Sequence, residues 1–130
     1  MYLIDSSAWI EFLRPQGSAR VKNRIREIVR TDAAVSCGIV VIEVLRGTKT
    51  DKDFATVKEA LMALPQIAIS DEVIERASSW GYALDRKGKQ ASTTGLIIAA
   101  AAYQKACLLH MDSDFERIAS MFEVQTEHIS

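Results

Sequence analysis

The feature that most constrains this chain is the recurrence of short apolar runs, each followed by a polar tip and then a segment of helical period. Met1 to Ile4, Ala33 to Cys37, Gln66 to Ile69 and Ala106 to Met111 have the length and composition of strands, and Val124 to Thr126 suggests a fifth. Between them lie helical patterns: Ala8 to Arg14, with Ser6 and Ser7 as cap residues, then Ser18 to Arg30 and Val40 to Arg46. Further patterns cover Thr50 to Leu64, a stretch from a cap at Ser70 or Asp71 to about Lys87, an alanine-rich stretch from Ser92-Thr93-Thr94 to about Lys105, and a last helix opening at Asp114 or Phe115. Pro15, Gly17, Gly47, Pro65 and Gly88 punctuate the pattern. Strands alternating with helices require crossover connections. The expected fold is therefore a three-layer α/β domain, with a four- to five-stranded, mainly parallel sheet covered on both faces.

Length allows one domain over residues 1 to 130, and 48% hydrophobic residues suffice for a single core without staples. No repeat or linker divides the chain. The 16 Lys+Arg and 17 Asp+Glu nearly cancel, so net charge does not announce a nucleic-acid binder. Their distribution is more informative. Arg14, Arg20, Lys22, Arg24, Arg26 and Arg30 crowd one stretch, whereas Asp112, Asp114, Glu116, Glu123 and Glu127 crowd the end. Cys37 and Cys107 stand apart in apolar surroundings, which signals neither a zinc site nor a disulfide. The longest apolar run, Leu96 to Tyr103, is too short to span a bilayer, and no basic leader precedes the first strand. A cytoplasmic location is expected.

In open parallel sheets the functional crevice lies beyond the carboxyl ends of the strands. Asp5 occupies such a place, Asp112 and Asp114 follow the fourth strand, and Glu43 lies in the helix entered from the second. Crowded carboxylates repel unless a cation holds them, and an all-oxygen set favours Mg2+ or Mn2+ over zinc. The implied chemistry is phosphoryl transfer. Each residue also has a plainer role, as helix cap, turn former or exposed helical acid. Glu43 is the hardest to set aside, because it interrupts the apolar run Ile39 to Leu45 and needs a partner there.

Four segments, Tyr2-Leu3-Ile4-Asp5-Ser6-Ser7-Ala8-Trp9-Ile10-Glu11, Ile42-Glu43-Val44-Leu45-Arg46-Gly47, Leu96 to Ala102 and Leu108-Leu109-His110-Met111-Asp112-Ser113-Asp114-Phe115, together resemble PIN-domain toxins of the VapC type. The resemblance implies a PIN fold, an Mg2+- or Mn2+-dependent endoribonuclease acting as the toxin of a type II toxin–antitoxin module, a homodimer, and a VapB-like antitoxin partner. It makes Asp5, Glu43 and Asp112 the catalytic, metal-binding acids, with Asp114 as a further ligand candidate and Ser6 as a supporting hydroxyl. Arg46 and Arg86 become candidates for RNA phosphate, although either would also complement a helix C-terminus.

One position departs from the family pattern. Where an aspartate ordinarily follows a threonine ahead of the apolar helix, this chain reads Thr94-Gly95-Leu96. Three accounts are open: a variant holding metal weakly through the remaining acids, a catalytically silent domain that binds only antitoxin or RNA, or an inactivating change, which an RNA-cutting toxin made without its antitoxin would favour. Two other classes fit less well. A haloacid-dehalogenase-like phosphatase needs an aspartate where Ser7 stands, and a response-regulator receiver needs a lysine after a late strand.

Overall fold

The computed structural model describes residues 1–130. Five strands, β1 (Tyr2–Ile4), β2 (Ala34–Cys37), β3 (Gln66–Ile67), β4 (Cys107–His110) and β5 (Thr126–His128), form one sheet in the order β3-β2-β1-β4-β5. Every pairing is parallel. Seven helices flank it: α1 (Ser6–Leu13), α2 (Ala19–Arg30), α3 (Gly38–Arg46), α4 (Asp51–Met62), α5 (Asp71–Arg86), α6 (Thr93–Ala102) and α7 (Ser113–Ala119). The α/β class expected from the alternation holds, and the sheet is parallel throughout.

Parallel strands need crossovers, and each crossover here carries one or two helices that cover the sheet. Helices α1 to α4 pack as one group and α5 to α7 as another, and α3 and α6 join the two. Leu3, Ile4, Leu108 and Leu109 in the central strands are fully buried, as are Val21, Ile25, Leu84, Ile98, Phe115 and Ile118 from the helices. Helix α6 is apolar all round, and Ile98 to Ala102 are buried, so it behaves as an interior helix rather than an amphipathic surface one. Gly81 permits this approach, since a Cβ there would lie 2.9 Å from Leu96 Cδ1 on α6.

Several element limits differ from the sequence reading. The first helix is capped by Asp5, whose side chain accepts from the Ser7 N–H, and starts at Ser6. The last helix is likewise capped by Asp112 rather than opening at Asp114. Helix α6 stops at Ala102, three residues before Lys105, because the chain turns through a left-handed Gln104 with φ 61°. The fifth strand lies two residues later than expected: the Val124 N–H donates to Phe122 O in a tight turn, and pairing with β4 begins at Thr126. No helix is long and apolar enough to cross a membrane.

Candidate metal centre

Strand β1 is the point from which the order runs outward in both directions, to β2 and β3 on one side and to β4 and β5 on the other. Its neighbour β4 carries the late acids, so the Asp5 and Asp112 positions sit beside one another at the carboxyl ends of adjacent strands. The Asp5 N–H continues the ladder by donating to Leu109 O at 2.9 Å. Of the strand-order switch points that build crevices in parallel sheets, this one receives both acids.

Asp5 is 3% exposed. Its Oδ2 accepts from the Ser7 N–H at 3.0 Å and from Ser7 Oγ at 2.6 Å. Burial nonetheless raises the Asp5 carboxyl above its ordinary value, and the charge of Asp112 adds to the rise. Glu43, on the second turn of α3, is half-buried, and its Oε1 accepts from Ser6 Oγ at 3.0 Å. The hydroxyl of Ser6 is the partner that Glu43 required in its apolar run. Both Asp5 and Glu43 act on the buried Cys37 thiol between their elements; burial raises its pKa first, and the two carboxylates push it further. Asp112 caps α7 by accepting the Asp114 N–H at 2.9 Å on Oδ1.

Asp114 is differently engaged. Its Oδ1 is paired with Arg117, one turn along α7, and its Oδ2 accepts from the Ser92 N–H at 2.8 Å. Arg117 also donates through Nε to Gln90 O at 2.6 Å, tying the start of α7 to the loop before α6. Gly95 is buried in the first turn of α6, where its N–H donates to Ser92 Oγ at 3.0 Å. A Cβ at position 95 would stand 3.8 Å from Asp114 Oδ2 and 2.9 Å from Ser92 Oγ. A side chain here would thus enter the same rim. Thr94 is exposed beside it.

The four acids share one rim, but their present rotamers turn to local donors, and no three acidic, histidine or cysteine side chains stand at ion-holding separation. The donor set itself fits a hard divalent cation. Asp5, Glu43 and Asp112 have no Arg or Lys partner, whereas Glu11, Glu72, Asp114 and Glu127 each have an arginine. Three carboxylates gathered without a compensating side-chain charge are what an external cation would neutralise.

Arg46 and Arg86 are exposed in the last turns of α3 and α5, and neither is paired with these acids. Arg86 lies over the Tyr82 ring, 5.6 Å from its centroid. Sequence reasoning missed Ser7 as a holder of Asp5, and Arg117 as the partner of Asp114. Ser7 was treated only as a capping residue. The spacing of Asp114 and Arg117 on one helix was the available signal for the second.

His110 is wholly buried, as its strand position suggested. Its Nδ1 accepts the Asp112 N–H at 3.2 Å, which places the proton of the neutral ring on Nε2. That nitrogen lies 3.1 Å from Glu116 Oε1, off hydrogen-bond alignment. The ring stacks on His128 and so braces β4 against β5.

An all-parallel sheet with acids gathered where β1 meets β4 defines a class of domain, and the PIN domain family model matches residues 2–121. Ribonuclease VapC11 of Mycobacterium tuberculosis is 31% identical over 130 residues, covering 96% of each chain. The structure superposes on that of VapBC2 from Rickettsia felis bound to a promoter DNA fragment, with a TM-score of 0.79 at 16% identity over 99% of this chain and 98% of that one. It also superposes on Mycobacterium tuberculosis VapC20, described as a Sarcin-Ricin loop cleaving toxin, with a TM-score of 0.67 at 15% identity over 94% and 96%. The chain belongs to the VapC ribonucleases of the PIN-domain family.

Proposed function

We propose that this chain is the endoribonuclease toxin of a toxin–antitoxin module, and that it hydrolyses RNA phosphodiester bonds with Mg2+ or Mn2+ held by Asp5, Glu43 and Asp112. The observation that carries the metal assignment is the set of three acids on one rim with no arginine or lysine among their partners. When bound, the cation supplies an activated water and neutralises charge developing on the phosphodiester. The chain's own residues hold and orient it. Ser6 keeps the Glu43 carboxylate turned toward α1, and the α7 cap fixes Asp112 through one oxygen while leaving the other without a protein donor. Asp114 would join the set by exchanging Arg117 for the cation. Arg46 and Arg86 offer exposed charge to the RNA backbone, so binding weakens with salt as counterions are released.

A VapB-like antitoxin is the proposed protein partner, and a homodimer the proposed assembly. Similarity to VapC11 and to the VapBC2 complex supports the antitoxin. An apolar groove of about 510 Å3 between α1, α2 and α4 offers it a surface: Phe12, Leu13, Val29 and Leu64 line it, with Arg26 and Arg30 at its edge.

The deciding experiment is RNA cleavage by the purified chain under Mg2+ or Mn2+ titration, beside the Asp5→Asn variant. Cation-dependent cleavage that Asp5→Asn abolishes is expected. Cleavage that survives both chelation and Asp5→Asn would remove the assignment. Gly95 favours one second reading, a silent domain that binds antitoxin or RNA without cutting; that reading predicts binding with no cleavage at any cation concentration.

A further inference from the structure

Ser7 makes three contacts with two different strand ends. Its N–H and its Oγ both donate to Asp5 Oδ2, at 3.0 Å and 2.6 Å, while its Oγ accepts the Met111 N–H at 3.1 Å. A serine hydroxyl has one proton and two lone pairs. Because Met111 can only donate, it occupies a lone pair, and the single Ser7 proton is committed to the carboxylate. The chain of donors therefore runs one way, from Met111 N–H to Ser7 O–H to Asp5, and each bond polarises the next. An O–H to carboxylate contact of this length belongs to the strong, charge-assisted class.

Helix capping does not account for it. The Ser7 N–H alone completes the cap that Asp5 makes on α1, so the hydroxyl is surplus to that role. What the hydroxyl adds is a tie between the end of β1, where Asp5 stands, and the His110–Met111 peptide at the end of β4, one residue before Asp112.

We propose that Ser7 is the positioning residue of the acid cluster, a clasp that sets the Asp5 carboxylate relative to the Met111–Asp112 turn so that an incoming divalent cation meets a preformed pair. The proposal rests on the reading that Asp5 and Asp112 hold the cation. Ser6 and Ser7 then divide the labour between neighbouring positions, with Ser6 holding Glu43 and Ser7 holding Asp5.

The test is Mn2+ affinity of the whole chain without RNA, measured by calorimetry and by the manganese spin-resonance signal. Groups that orient a metal ligand typically govern affinity by roughly 10- to 100-fold, and Ser7→Ala is expected to weaken Mn2+ binding on that scale. Ser7→Thr, which keeps the hydroxyl, recovers most of the loss. In an Asp5→Asn background Ser7→Ala costs nothing further, because the serine acts through a ligand already lost. An equal loss in both backgrounds would show that Ser7 acts only on the fold through Met111, and would overturn the proposal. So would wild-type affinity in Ser7→Ala where Asp5→Asn is weakened, an outcome that leaves the metal reading standing. If Asp5→Asn itself binds Mn2+ as the parent does, the metal reading is what fails. Should Ser7→Ala not fold, Ser7→Cys retains the shape with a weak donor; partial loss is expected, and unchanged affinity overturns the clasp.

Discussion

Asp5 and Asp112 show how one side chain serves the fold and the site together. Each caps the helix that follows its strand through one carboxylate oxygen, with the other oxygen left for the rim. The plain reading of these residues as helix caps and the reading of them as cation ligands are therefore compatible. Position 95 is where the two roles come apart. Its N–H is used in the α6 cap, and a Cβ would face Asp114 and crowd Ser92 Oγ. An aspartate there gains from the helix dipole but brings a second negative charge beside Asp114. Without metal, Gly95→Asp is expected to shift stability by no more than about 1 kcal/mol, the scale of a first-turn charge or a displaced cap. With Mg2+ or Mn2+ present it should raise the melting temperature and the cation affinity more than the parent's. Identical cation-induced shifts in the two proteins would mean that position 95 does not face a bound ion.

Among the elements, the basic α2 and the acidic chain end, which the charge distribution set apart in sequence, are partly joined. Arg24 donates to both oxygens of Glu127 and to Tyr2 Oη, binding α2 to β5 across the edge of the sheet. The hydrogen bonds from Arg24 hold the Glu127 carboxyl below its usual value. A carboxyl depressed in the folded state contributes stability above its unfolded pKa, near 4.3 for glutamate, and loses it as pH falls through the folded value. Glu127→Gln should accordingly lower the urea midpoint at pH 7 and converge with the parent as pH falls through the depressed folded value. A constant difference across that range would show that the pair does not govern the effect.

The contact of α5 with α6 depends on Gly81, and Gly81→Val should cost about 1–3 kcal/mol by overpacking against Leu96, readable by urea unfolding. The alternation of apolar runs made most elements legible in advance. It failed at β5 because Thr126-Glu127-His128 is a polar edge strand whose pairing comes from β4, while apolar Val124 buries itself from a turn. It overran α6 because Tyr103 and Gln104 carry no glycine or proline to mark the stop. At the site, residues that follow strands were legible by position. The role of Ser7 was not, since it depends on Met111, 104 residues away in sequence, whereas the Asp114–Arg117 pair left a signal in its helical spacing that went unread.

For the molecule as a whole, the centre of gravity is the β1–β4 pair. Leu3, Ile4, Leu108 and Leu109 are fully buried there, with Phe115 packed behind. Amide protons of these strand residues should exchange slowest, at the rate of global unfolding, and Phe115→Ala should cost about 3–5 kcal/mol. Fast exchange at β4 with protection retained in the helices would contradict a core organised on this pair.

The clasp between Ser7 and Met111 joins residues 104 apart in sequence. During synthesis at 5–20 residues per second, the second partner follows the first by roughly 5–20 s. Throughout that interval the nascent chain has Asp5 but neither β4 beside it nor Asp112 to complete the rim. On the proposed reading of Asp5 and Asp112, a VapC ribonuclease built in this order emerges from the ribosome without a cutting centre, and assembles one only when nearly all of it has been made.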